Sequence, residues 1–240
     1  MTLFLTSSPC VIGAPRVILN PANGFVTRLQ NALPKWPRVL FVASNPEDHD
    51  SVCHFGNEMA RAFREFGFPM GSFFTLDGSN ADEAAFLVAC SDLIILMGGH
   101  VPTQNALFQD ICLRQLLEDF DGTVMGISAG SMNCADVVYA QPEEPGEGID
   151  PDYEKFIPGL GLTDVNILPH YQQVKDNILD GFRLYEDLTY ADSMDHVFFV
   201  LPDGSYYYQD EENAVFCGEM YRLENGILEQ LTRDGGQWYL

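Results

Sequence analysis

Short apolar runs alternating with helix-compatible segments constrain this chain more than any other feature. The runs lie at 3–8 (LFLTSS), 38–44 (RVLFVAS), 92–99 (DLIILMGG), 122–128 (GTVMGIS), 164–170 (DVNILPH) and 196–204 (HVFFVLPDG). Several are almost continuously apolar, as strands covered on both faces require. Between them, residues 50–68, 80–90, 104–120 and 173–190 read as helices. This pattern predicts an α/β fold with a mainly parallel, doubly wound sheet flanked by helices. In such a fold functional groups collect at the carboxyl ends of the strands. From Ser205 onward, short β-like runs separated by Asn, Gly and acidic residues predict antiparallel hairpins.

A chain of 240 residues is long enough to bury one sizeable core, and a single domain over 1–240 is expected. Twelve Lys plus Arg against thirty-five Asp plus Glu give a net charge of -23. That field repels phosphate backbones and anionic lipid, which excludes nucleic acid and membrane as expected partners. An acidic substrate would need a Lys or Arg in its pocket. The six cysteines show no metal-type spacing, so reduced, mostly buried thiols are expected. No signal-type or transmembrane stretch is present, which predicts a cytoplasmic protein. The acidic, Pro- and Gly-rich stretch 141–154 reads as a surface excursion, a solvated loop in preference to a substrate lid.

Ser128 stands at a strand-to-helix junction inside Gly126-Ile127-Ser128-Ala129-Gly130. This G-x-S-x-G spacing suits a sharp turn that holds a nucleophile above a sheet, with helix amides beside it. A serine needs a base, and the base needs an orienting carboxylate. Of the five histidines, His49 and His54 sit near a loop-helix junction and His196 precedes a strand. His100 and His170 each follow one. His170 ends NILPH and Asp203 follows FFVLP, so Ser128, His170 and Asp203 are placed at three successive strand ends. The order Ser, His, Asp differs from that of the α/β-hydrolases, where the acid precedes the histidine. Gly98 and Gly99, in LMGGH, let backbone approach a ligand and offer a second oxyanion amide.

Four stretches in order, LIILMGG, GISAGSMNCA, LPHY and VLPDG, resemble the aspartyl dipeptidase (peptidase E) family of serine peptidases. The resemblance covers most of the chain and implies the fold of class I glutamine amidotransferase-like domains. It also implies Ser128 as nucleophile, His170 as general base, Asp203 as orienting acid, the amides of Gly99 and Ala129 as oxyanion hole, and no metal or cofactor. The implied partner is a small peptide, led by N-terminal aspartyl dipeptides; a homodimer is left open. Asp203 stands where the family usually has Glu, and His100 where it often has Asn, which is expected to put the His100 imidazole close to the substrate. The basic residue expected to meet an aspartyl carboxylate has only Lys175 and Arg183 as candidates. A cyanophycinase-like or other small-amide hydrolase, and a non-catalytic glutamine amidotransferase-like binding module, are the alternatives. Glutaminase chemistry is disfavoured because Ser128 occupies the place of the nucleophilic cysteine, and Cys134 lies six residues later.

Overall fold

In the computed structural model, which describes residues 1–240, the parallel sheet forms from β1 (Thr2–Thr6), β2 (Arg38–Val42), β3 (Ser72–Leu76), β4 (Leu93–Leu96) and β5 (Thr123–Ile127). β1 pairs with β5, β5 with β4, β4 with β2 and β2 with β3, all parallel. Helices α1 (Phe25–Ala32), α2 (His49–Glu65), α3 (Ala84–Ala89), α4 (Val101–Asp110) and α5 (Leu113–Leu117) accompany these strands. Phe4, Leu5, Leu40, Phe41, Ile94 and Ile95 are all buried, which is why these runs lack alternation. β3 escapes the run pattern because it is an edge strand with partly open faces; Phe74 is 52% exposed. The segment 104–120 splits at Cys112, whose φ is +52°, into α4 and α5.

After β5 come the short α6 (Ala129–Met132) and then β6 (Val137–Tyr139) and β7 (Phe156–Pro158), which pair antiparallel. They are followed by β8 (Ile167–Leu168), α7 (Tyr171–Val174), β9 (Ile178–Leu179), β10 (Phe182–Arg183) and β11 (Phe198–Val200). The tail supplies β12 (Tyr206–Gln209), β13 (Ala214–Cys217), β14 (Met220–Glu224), β15 (Ile227–Thr232) and β16 (Gln237–Tyr239).

The strands that lead to His170 and Asp203 do not extend the main sheet. β8 and β11 pair parallel with each other, Ile167 opposite Phe199 and Leu168 opposite Val200. They belong to a second sheet in the order β15-β14-β11-β8. The tail forms antiparallel pairs as expected, but it divides between the sheets. β12 joins β1 antiparallel and gives the eight-stranded order β16-β13-β12-β1-β5-β4-β2-β3. A second apolar cluster, which includes Leu168, Tyr139, Tyr185 and Phe198, also takes in Ala129 and Met132 of α6. The turn carrying Ser128 therefore sits where the two sheets meet.

The expected helix over 173–190 is interrupted. After one turn, α7 gives way to the β9-β10 hairpin, whose Asp180 and Gly181 have φ of +52° and +89°. Asp-Gly is a strong tight-hairpin signal because both central residues of such a turn are left-handed. Leu184–Thr189 then forms a π-helical turn.

Candidate active site

Ser128 adopts φ 51° and ψ -113°, an unusual conformation for a non-glycine residue that costs about 1–3 kcal/mol. Its N–H donates to the Thr6 carbonyl at 3.0 Å, so the end of β1 helps to hold the turn. The flanking glycines serve close packing. A Cβ on Gly130 would lie 2.3 Å from the Leu96 carbonyl oxygen, and one on Gly126 would lie 2.5 Å from Ser131 Cα. Both glycines let α6 fold back against β5 and β4, which leaves Ser128 at the apex.

His170 follows β8 in a left-handed conformation, φ 58°, and its Nδ1 lies 2.7 Å from Asp203 Oδ1. The Asp203 side chain is only 1% exposed, so its lone pairs need partners. Ser7 Oγ donates to Oδ1 at 2.7 Å, and the side-chain amides of Gln172 and Gln173 donate to Oδ2. The Asp203 N–H in turn donates to Gln172 Oε1 at 3.0 Å. Burial pushes the Asp203 carboxyl up, but the hydrogen bond and charge of His170, with Ser7 and Gln173, outweigh it and hold the pKa below its ordinary value. A carboxylate at Nδ1 favours the proton on that nitrogen and leaves Nε2 as the acceptor of the neutral ring.

Two adjoining cavities share Gly99, Ser128, Glu143 and His170 in their walls. One, of about 310 Å³, is closed by Val101, Met132, Gln141 and Leu184. The other, of about 530 Å³, is apolar and lined by Val17, Phe41, Phe55, Met59 and Met97. Ser128 and His170 share these walls without a hydrogen bond between Oγ and the ring. A larger cleft, of about 610 Å³ beside Asp210–Asn213, contains neither residue, so size alone does not identify the site.

The Gly99 amide has no backbone acceptor, and Ala129 opens α6, where the first N–H groups have no intrahelical partner. Gly99 has no room for a side chain, because a Cβ would lie 2.5 Å from Ser44 Oγ. Two amide donors thus stand near Ser128. Cys134 is fully buried, donates to the Gly130 carbonyl, and burial pushes its thiol pKa far up.

His100 caps α4 and lies outside both cavity linings; its Nδ1 is 2.7 Å from Thr103 Oγ1 and its Nε2 is 2.8 Å from Glu147 Oε1. Lys175 is an exposed partner of Asp176 at 3.1 Å. Arg183 pairs with Asp187 at 2.6 Å, with its side chain 61% exposed. Neither Lys175 nor Arg183 lines either cavity, and no other Lys or Arg appears in the two linings. In the hairpin that replaces the expected helix, Ile178 and Leu179 line the cavity with Ser128, whereas Arg183 is engaged by Asp187.

The stretch 141–154 is a surface loop, as expected, yet its first residues Gln141, Pro142 and Glu143 wall the cavity. Asp180 accepts the amides of Gly146 and Gly148 at 2.9 and 3.0 Å, and the Glu147–His100 contact ties the loop to α4. His100, Glu144 and Glu147 bring ligand atoms within 4.8 Å of one another. His100 and Glu147 already satisfy each other there, and that pair fastens the loop to α4. Sequence reasoning missed Ser7, Gln172, Gln173 and Glu143. Ser7 had a signal, since LFLTSS ends at the carboxyl edge of the strand beside β5; Glu143 had none.

No helix is long and apolar enough to cross a membrane. No curated protein matches the chain. Among solved structures, a peptidase from an acI-B1 Actinobacterium superposes with a TM-score of 0.64 at 18% identity, covering 100% of this chain and 96% of the other. A protein of Listeria monocytogenes EGD-e ascribed to peptidase E superposes with a TM-score of 0.60 at 14% identity, covering 96% and 98%. At these identities the likeness establishes the shared fold. The model of peptidase family S51 matches residues 3–213; the chain belongs to that family and is a serine peptidase.

Proposed function

We propose that the protein is an exopeptidase that cleaves small peptides through Ser128, His170 and Asp203. One observation carries this reading: a strained serine turn and a histidine held at 2.7 Å by a buried carboxylate open onto the same cavity. In the reaction, Ser128 Oγ attacks the scissile carbonyl carbon while His170 Nε2 takes its proton. The C–N bond breaks as His170 returns that proton to the leaving amine, and water then hydrolyses the acyl-enzyme by the same route. Asp203 at Nδ1 keeps the ring oriented and stabilises the imidazolium. The Gly99 and Ala129 amides donate to the oxyanion. The Ser128 to His170 contact forms as substrate seats, since such bonds are often long before binding.

The cavity of about 310 Å³ accommodates a few residues, which supports a small peptide as substrate. An N-terminal aspartyl side chain finds no Lys or Arg in either lining, so aspartyl dipeptides do not lead on structural grounds. Incubation with a panel of dipeptides, read by chromatography of released amino acids, tests the reading. Turnover that disappears in Ser128→Ala and in His170→Ala is expected. Full turnover by either variant would contradict it.

A further inference from the structure

Glu143 is the one charged residue, apart from the titratable His170, common to the walls of both cavities beside Ser128. It forms no ion pair with any Lys or Arg, whereas its neighbour Glu147 is engaged by His100. Glu143 is exposed to solvent at the rim the two cavities share, and the protein packed around it pushes its carboxyl up. His100 opposes that shift, while Glu147 and Glu144 add to it. A carboxylate so placed gains most from a cation that arrives with the ligand. The loop holds it in position: the Glu143 N–H donates to Glu147 Oε2 at 2.8 Å, and Glu147 Oε1 lies 2.8 Å from His100.

The adjoining compartment has the opposite character. Val17, Phe41, Phe55, Met59 and Met97 line about 530 Å³, with no Lys or Arg in the wall. It suits an uncharged apolar side chain and offers nothing to an aspartate, which would also face Glu143 with like charge. Building on Ser128 as the nucleophile, we infer that Glu143 accepts the free N-terminal ammonium of the substrate and that the apolar compartment takes its first side chain. The preferred substrates are then small peptides with a free amino terminus and an apolar first residue. A single carboxylate matches the single ammonium that lies two bonds from the scissile carbonyl carbon.

The test compares Leu-Leu, N-acetyl-Leu-Leu and Asp-Leu with wild type and Glu143→Gln, read as kcat/KM from released leucine. Wild type is expected to favour Leu-Leu at least tenfold over each of the others. Glu143→Gln is expected to lose at least tenfold on Leu-Leu, mainly through KM, and to be indifferent to acetylation. Equal wild-type turnover of the acetylated peptide, a preference for Asp-Leu, no cleavage of Leu-Leu, or an unchanged Glu143→Gln overturns the inference. Labelling by a fluorophosphonate separates the two readings. A protein that labels at Ser128 but gives any of these results defeats only the role of Glu143; one that neither labels nor cleaves defeats the serine mechanism as well.

Discussion

Ser7 and Asp203 lie 196 residues apart in the chain and meet through a 2.7 Å hydrogen bond from Oγ to Oδ1. The same hydroxyl accepts the His170 N–H at 2.7 Å. Ser7 follows β1 of the main sheet, whereas His170 and Asp203 follow β8 and β11 of the second. One buried hydroxyl thus fixes the proposed base and acid of one sheet against the other sheet, whose β5 carries Ser128. Ser7→Ala removes a donor to a charged group, worth about 1.5–3 kcal/mol. The expected result is a kcat lowered about ten- to hundredfold with KM within about twofold. An unchanged kcat would deny Ser7 a positioning role.

The strain at Ser128 has a thermodynamic signature. Ser128→Gly permits φ 51° and ψ -113° without a Cβ penalty, although the freer unfolded chain offsets part of the gain. A net gain of about 1 kcal/mol raises Tm by about 2–4 °C in a chain of this size, while peptidase activity is lost. Ser128→Ala, which retains the Cβ, is expected to melt below Ser128→Gly in calorimetry. Equal melting of the two variants would show that the turn stores no strain.

At Gly99 a Cβ would collide with Ser44, 2.5 Å from Oγ and 2.6 Å from Cβ. Gly99→Ala therefore displaces the amide proposed to hold the oxyanion, and a loss of about 10²-fold or more in kcat is expected. Ser44→Gly removes both colliding atoms. The double variant Gly99→Ala, Ser44→Gly should recover part of the loss, a positive coupling read from a double-mutant cycle. Simple additivity would argue that Gly99 acts through something other than this contact.

The depressed pKa of Asp203 makes an acid-stability prediction. Its ionised form stabilises the fold, fully so above the ordinary value of 3.8, and that contribution fades as pH falls through the lower folded value. The stability difference between wild type and Asp203→Asn, followed by urea unfolding, should shrink as pH falls below 3.8. A difference that widens below pH 3.8 would contradict the hydrogen-bonded, ionised carboxylate.

The parallel core strands were legible because burial on both faces writes a continuous apolar run, as at Ile94 and Ile95. The second sheet was not, because β8 has two residues and its partner strand follows in sequence just as a main-sheet strand would. The expected helix across 173–190 failed at Asp180-Gly181, where turn chemistry overrides helical spacing. Among site residues, Ser128, His170 and Asp203 carry local signatures: a strand end, a turn and a chemically suited side chain. Ser7 and Glu143 matter through what the fold brings to them, and neither a serine after a strand nor a glutamate in an acidic loop is distinctive alone. Lys175 and Arg183 show the converse, since charge and rough position suggested a role while local acids hold both at the surface.

The central claim is that Ser128 is a nucleophile activated by His170. Treatment with a fluorophosphonate, followed by intact mass and peptide mapping, tests it most directly. A single covalent adduct on Ser128 is predicted, absent in Ser128→Ala and formed at least about a hundredfold more slowly in His170→Ala. No adduct on the wild-type protein, or equal labelling of Ser128→Ala, would contradict it.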